Sequence, residues 1–308
     1  KGVGALVRLP ARMLGAMRQS RAILRRLQPA VVIGFGGYIT APAGLVAASL
    51  GIPLMLHEQN SVAGMANKWL SRFAKRVFTA YPNVLDASSH ANNATGSAGN
   101  AGSTGKACWV GNPLRTIFMQ QSAPEQRMAG RTGKLQLLVV GGSLGAKALN
   151  DTVPQALALL DEAQRPHVMH QSGAKQIDAL RQAYAQAGVV ATLLPFIDNT
   201  AEAFAQADLV VCRAGASTVT ELAAVGAAAV FVPFPHAVYD HQPANPRYLA
   251  AAAAAWLQPQ AQFTAQWLAD FLSGITREQL LEKAQKAKSM EKLHATEHIV
   301  AACEELIA

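Results

Sequence analysis

Glu221 and the residues before it pair the chemistry of an anion site with that of a hydroxyl site. The segment Asp208-Leu-Val-Val-Cys-Arg-Ala-Gly-Ala-Ser-Thr-Val-Thr-Glu221 reads as a buried strand over 209–212, a turn of small residues, and a helix over 217–225. A helix start presents unpaired N–H groups and a positive dipole end, which suits a phosphate. Glu221 follows about one turn into the helix, where a carboxylate repels phosphate but accepts hydrogen bonds from sugar hydroxyls. Phosphate plus ribose is a nucleotide. The competing reading is an ordinary strand–helix unit with a Ser/Thr cap.

A second polar group, His57-Glu-Gln-Asn60, leaves a strand at its carboxyl end, where open α/β sheets bind ligands. His57 is the candidate base, and Glu58 a hydrogen-bond acceptor or orienting group. Glycine turns follow strands at Gly34-Phe-Gly-Gly-Tyr38 and Gly141-Gly-Ser-Leu-Gly-Ala146. The first, with Glu58 near the place of a ribose acid, admits a dinucleotide-dependent dehydrogenase. The strand after the second ends in His170-Gln-Ser172 with no acid, so two similar domains facing a cleft account for the repeats better. There is no Asp-x-Asp or His/Asp cluster of metal-ligand spacing, so neither metal nor cofactor is expected.

Positioning these residues requires alternating strands and helices. Strands are expected over 30–33, 54–58, 108–110, 135–140, near 168 and 193, then over 209–212 and 229–232. Helices are expected over 6–27, 42–50, a basic one carrying Asn67 to Arg76, then to residue 160, 175–187, 200–206, 217–225, after Asp240, 276–288 and 295–306. Residues 86–106, rich in Ala, Ser, Asn and Gly, read as a flexible loop.

The chain has 308 residues and a net charge of +8, enough length for two domains. No apolar run reaches the roughly 20 residues of a membrane span. Cys108, Cys212 and Cys303 are widely spaced, as in a reducing cytoplasm. No acid precedes Glu58, whereas Lys1, Arg8, Arg12, Arg18, Arg21, Arg25 and Arg26 do. Such a basic amphipathic helix suits an anionic membrane surface or packing on a sheet. Nucleic acid is not expected, since no aromatics interleave with the arginines. The sequence begins with Lys1 and has no signal peptide, so it reads as a fragment.

Gly36-Gly-Tyr38, His57-Glu-Gln-Asn60, Gly111-Asn-Pro-Leu-Arg115, Gly141-Gly-Ser143, Cys212-Arg-Ala-Gly215, Glu221, Pro233-Phe-Pro-His236 and Asp240-His-Gln242 occur in this order. Together they resemble the MurG family of bacterial peptidoglycan glycosyltransferases. The resemblance implies an α/β chain of two Rossmann-like domains, the GT-B fold, with the first incomplete at its N-terminus. It implies an acceptor and membrane domain over 1–112, a UDP-sugar domain over 113–290, and a helix over 291–308 returning to the first. It implies inverting transfer of N-acetylglucosamine from UDP-N-acetylglucosamine to the muramoyl C4 hydroxyl of undecaprenyl-linked lipid I. The place would be the cytoplasmic face of the inner membrane, peripherally bound. Ser143 would lie near the diphosphate, with helix-start contacts from Ala216, Ser217 and Thr218, followed by Val219 and Thr220. Glu221 would bind the ribose, Ile197 would lie by the uracil, Asn60 and Arg115 in the cleft, and Gln242 with Pro243 at the donor sugar.

Four features depart from the family. Its first turn, Gly-Gly-Thr-Gly-Gly-His, which carries the usual base, is not in the given sequence. Pro243 replaces a Gln, Ala228 replaces a Pro, and Pro246 with the 250–255 alanine run replaces an Ala and a Gly. Two alternatives follow: a UDP-sugar-binding chain without transferase activity, and an enzyme like the UDP-N-acetylglucosamine 2-epimerases.

Overall fold

A computed structural model describes residues 9–85, 107–235 and 244–307. Contacts gather the chain into two units, Lys1–Pro113 with His294–Ala308, and Leu114–Leu293. The expected 86–106 loop, the helix after Asp240, His236, Gln242 and Pro243 lie outside the described residues.

In the first unit α1 (Leu9–Leu27) packs against α2 (Thr40–Ser49), with β1 (Val32–Gly34) between them in sequence. Then come β2 (Leu54–Glu58), α3 (Met65–Leu70), β3 (Arg76–Thr79) and β4 (Ala107–Trp109). The four described strands pair in parallel, in the order β1-β2-β3-β4. All five residues of β2 are buried, as in a strand covered on both faces. Leu54 and Leu56 pack with Leu70, Ala74 and Val77, while Met55 packs with Phe78 and Val110. The expected basic helix does not run to Arg76. It stops at Leu70, and Arg76 opens β3, because burying Val77 and Phe78 beside β2 outweighs the helical spacing of the basic residues.

The second unit begins with α4 (Thr116–Met119) and α5 (Pro124–Met128). It continues through β5 (Gln136–Val140), α6 (Lys147–Ala158), β6 (His167–Gln171), α7 (Ile177–Ala187), β7 (Thr192–Leu194) and α8 (Thr200–Gln206). Next are β8 (Leu209–Cys212), α9 (Ala216–Val225), β9 (Ala229–Phe231), α10 (Arg247–Ala251) and β10 (Trp256–Leu257), then α11 (Ala265–Gly274) and α12 (Arg277–Ser289). The sheet is parallel, in the order β10-β9-β8-β5-β6-β7. Connections run one way from β5 to β7, then restart at β8 on the other side of β5. That reversal opens a crevice at the carboxyl ends of β5 and β8, the usual ligand position in such sheets.

Beneath this crevice, at the amino ends of the strands, Asp208 ties three segments together. Its side chain is fully buried, accepts from Arg131 at 2.8 Å and Arg277 at 3.3 Å, and takes the Gln136 N–H at 2.8 Å. The departures from the family pattern find places here. Pro246 is the N-cap of α10, where no intrahelical N–H is required. Ala228 is buried and its carbonyl accepts from the Val210 N–H. Ala253 adopts φ +54°, a left-handed conformation that a glycine takes without steric cost. The chain then returns to the first unit as α13 (Ala295–Ile307), whose Ile299 and Ala302 cover Met55, Phe78 and Val110.

Candidate functional site

Two chain reversals meet at the crevice. After β5, Gly141 to Ala146 turn into α6. Gly142 and Gly145 have φ of +82° and +76°, and the Gly145 N–H donates to the Gly142 carbonyl at 2.9 Å. Gly145 also admits no side chain, since a Cβ there would lie 2.0 Å from the Ser172 carbonyl oxygen. After β8, Arg213, Ala214 and Gly215 lead into α9. Gly215 is its N-cap and no side chain caps the helix, so the Ser/Thr-cap reading does not apply. The N–H groups of Ala216, Ser217 and Thr218 therefore point outward without helical partners.

Between the turns lies a cavity of about 740 Å³ whose walls include Gly142, Ser143, Lys147, Arg213, Thr218 and Phe234. Arg213 is held by the carbonyls of Val232 at 2.9 Å and Pro233 at 3.3 Å, and its guanidinium lies 5.6 Å from the centre of the Phe234 ring. A fixed cation, bare turn amides and a helix dipole together make this cavity suited to a diphosphate. The sequence alone assigns no role to Arg213, Lys147 and Phe234. A cation in the turn before an uncapped helix start was the available signal.

Glu221 stands one turn into α9, its side chain only 19% exposed, with Arg115 Nη2 at 3.8 Å. Burial pushes its carboxyl up to about 7, and Arg115 opposes the shift. Arg115 itself is mainly exposed and lies over the Phe118 ring at 4.8 Å. Ile197 is half-buried just after β7, and its carbonyl accepts from the Thr200 hydroxyl. Ser143 and Ser217 are exposed, and Ala216 and Thr218 are half-buried. The Thr220 hydroxyl donates to the Ala216 carbonyl at 3.0 Å. Val219 is a correction: its side chain is 2% exposed and its N–H donates to the Gly215 carbonyl, so it serves the core and not a ligand.

The acid/base pair expected in the first unit is corrected too. His57 is fully buried, with Nε2 2.9 Å from the Gly111 carbonyl, and burial lowers its pKa. Glu58 is 3% exposed. Its Oε1 accepts from the Asn60 N–H at 3.0 Å and from Asn60 Nδ2 at 3.2 Å. Its Oε2 accepts from the Gly64 N–H and from Asn67 Nδ2, each at 2.9 Å. The carboxylate shapes the loop from β2 to α3, and Asn60 belongs to that loop. A base must reach the hydroxyl it deprotonates, and neither side chain reaches the surface as placed.

The Glycosyltransferase family 28 N-terminal domain matches residues 1–79, and the family 28 C-terminal domain matches residues 136–300. With the two parallel-sheet units and the crevice, these matches define a glycosyltransferase of the GT-B fold. The chain is similar to an Acidovorax sp. (strain JS42) protein, 60% identical over 306 residues, covering 99% of this chain and 72% of the relative. That relative is a UDP-N-acetylglucosamine--N-acetylmuramyl-(pentapeptide) pyrophosphoryl-undecaprenol N-acetylglucosamine transferase. A crystal structure of MurG from Acinetobacter baumannii superposes with a TM-score of 0.79 at 39% identity, covering 96% of this chain and 79% of that one. The chain belongs to the MurG family. The epimerase alternative is not favoured: a Neisseria meningitidis UDP-GlcNAc 2-epimerase gives TM-score 0.64 at 13% identity, over 95% of this chain and 81% of its own, a likeness of fold alone.

Proposed function

We propose that the chain transfers N-acetylglucosamine from UDP-N-acetylglucosamine to the muramoyl C4 hydroxyl of undecaprenyl-linked lipid I, with inversion at the anomeric carbon. The observation that carries this reading is the crevice in the second unit, where a bare turn and a bare helix start flank Arg213 while a buried carboxylate waits one turn along. The names of its relatives give the same donor and acceptor. In the reaction the C4 oxygen attacks the anomeric carbon as the bond to the diphosphate oxygen breaks. The hydroxyl proton goes to a base, and UDP departs with the bonding pair. The amides of Ala216 to Thr218, the Ser143 turn and Arg213 would stabilise the charge gathering on the diphosphate. Ile197 would flank the base, Glu221 would accept from the ribose hydroxyls, and Gln242 beside Pro243 would serve the sugar. Calorimetric titration with UDP-N-acetylglucosamine tests the donor site: saturable one-to-one binding is expected, and a folded chain that binds neither it nor UDP would sink the proposal.

For the acceptor, the reading is peripheral attachment at the cytoplasmic face of the bacterial inner membrane. Among the described residues no helix is long and apolar enough to cross a membrane. The first unit exposes Met65, Trp69 and Phe73 among the exposed Lys68, Arg72 and Lys75. On α1 the exposed Met13, Leu14, Ile23 and Leu27 accompany Arg12, Arg18, Arg21, Arg25 and Arg26. Apolar side chains within a basic surface favour an anionic leaflet. Charge reversal at Arg12, Arg18 and Arg25 to Glu should cut cosedimentation with anionic vesicles several-fold, since each basic residue near such a surface contributes about 1 kcal/mol. Unchanged sedimentation would leave α1 as a packing helix.

A further inference from the structure

We infer that Gln171 is a positioning residue for donor binding, locking the phosphate-side turn and the segment before Ile197 into one rigid wall; the inference rests on the donor reading above. Gln171 is the last residue of β6 and is 3% exposed, directly behind the crevice. Its side-chain amide grips one residue of the glycine turn from both sides. Oε1 accepts from the Gly142 N–H at 3.1 Å, and Nε2 donates to the Gly142 carbonyl at 3.1 Å. The second Nε2 hydrogen goes to the Pro195 carbonyl, also at 3.1 Å. A single amide thus joins the ends of β5 and β7 across β6.

The grip decides which turn amides face a ligand. The Gly142 N–H is spent on Gln171 and the Gly145 N–H on the Gly142 carbonyl, which leaves Ser143 and Leu144 at the tip of the turn. A neighbouring glutamine holds the other side of the same turn. Gln176 Nε2 donates to the Leu144 carbonyl at 3.0 Å, and its Oε1 accepts from Asn150 Nδ2 at 2.9 Å. The Gln176 amide bonds Leu144 and Asn150 and not Pro195, so the two glutamines separate the two halves of the site. Leucine in place of Gln171 would keep the bulk and drop all three bonds. The Gly142 N–H would then be free to turn toward the ligand side, and the Pro195 carbonyl would lose its tether.

The test is calorimetric titration of the full chain with UDP and with uridine. Gln171→Leu should weaken UDP binding about 10-fold or more, the size expected for three lost bonds to buried backbone groups, with stoichiometry unchanged. Uridine affinity should fall as well. Gln176→Leu should weaken UDP and leave uridine untouched. A merely destabilising change would lower the stoichiometry of binding and not the affinity of the molecules that bind. Should Gln171→Leu fail to fold, Gln171→Glu keeps the shape but loses both donors at neutral pH, and its UDP affinity relative to the native chain at the same pH should recover as acid restores one O–H donor. A folded Gln171→Leu chain that binds UDP within twofold of the native chain would overturn the inference. Weakened UDP binding with unchanged uridine binding would overturn the link through Pro195. If the native chain binds no UDP, the donor reading fails first and this inference with it.

Discussion

Glu221→Ala is expected to lower affinity for UDP-N-acetylglucosamine by about 10- to 100-fold, the range for hydrogen bonds to a charged acceptor. The residue projects from the helix whose start faces the crevice, and its side chain is largely buried. Its pH behaviour gives two effects of opposite sign. Burial raises the carboxyl to about 7, so the empty chain carries a neutral Glu221 in mild acid and a charged one above neutrality. Ribose hydroxyls donate to the ionised form, so donor affinity should fall as pH drops through 7. Folding goes the other way. A raised carboxyl favours the folded chain fully below its ordinary value near 4.5, and this contribution is lost as pH rises through about 7. Titrations at pH 6 and pH 8 on native and Glu221→Gln chains separate the two, since glutamine should flatten both. Native-like affinity in Glu221→Ala would remove the carboxylate from the donor site.

The second large effect lies at the opposite ends of the same strands. Asp208→Ala should cost about 3–5 kcal/mol of stability, as expected when one partner of a buried ion pair is removed. Arg131 and Arg277, each about four-fifths covered along their side chains, would lose their carboxylate and keep only backbone carbonyls as acceptors, and the Gln136 N–H would lose its partner. Asp208→Asn should cost less, because an amide oxygen still accepts. Urea unfolding monitored by circular dichroism measures both, and UDP affinity of the folded fraction should stay native. A loss below about 1 kcal/mol for alanine would mean that water replaces the carboxylate adequately, as at an exposed pair.

These residues differ in how plainly the sequence announces them. The Gly141 turn and the start of α9 are local features: small residues between an apolar strand and a helix, with Glu221 at a fixed helical offset. Strands with four consecutive apolar residues, such as those in Gln136–Val140 and Leu209–Cys212, are equally local. Arg76–Thr79 is not, because two of its four residues are polar and only pairing with β2 makes it a strand. His57 and Glu58 mislead for a related reason. Polar residues at a strand end look available to a substrate, yet β2 is buried throughout, and the groups that consume the Glu58 oxygens sit two to nine residues downstream. Gln171 is the least visible. Nothing in His-Gln-Ser shows that its amide will meet Gly142, 29 residues earlier, and Pro195, 24 residues later.

The return of α13 to the first unit has a consequence for how the chain is made. Met55, Phe78 and Val110 leave the ribosome before any of the second unit, but Ile299 and Ala302, which cover them, emerge only after it. The second unit is continuous in sequence and can close its own core during synthesis. Until α13 emerges the cluster of Met55, Phe78 and Val110 lacks that cover, so the half that is translated first is the half that completes its core last.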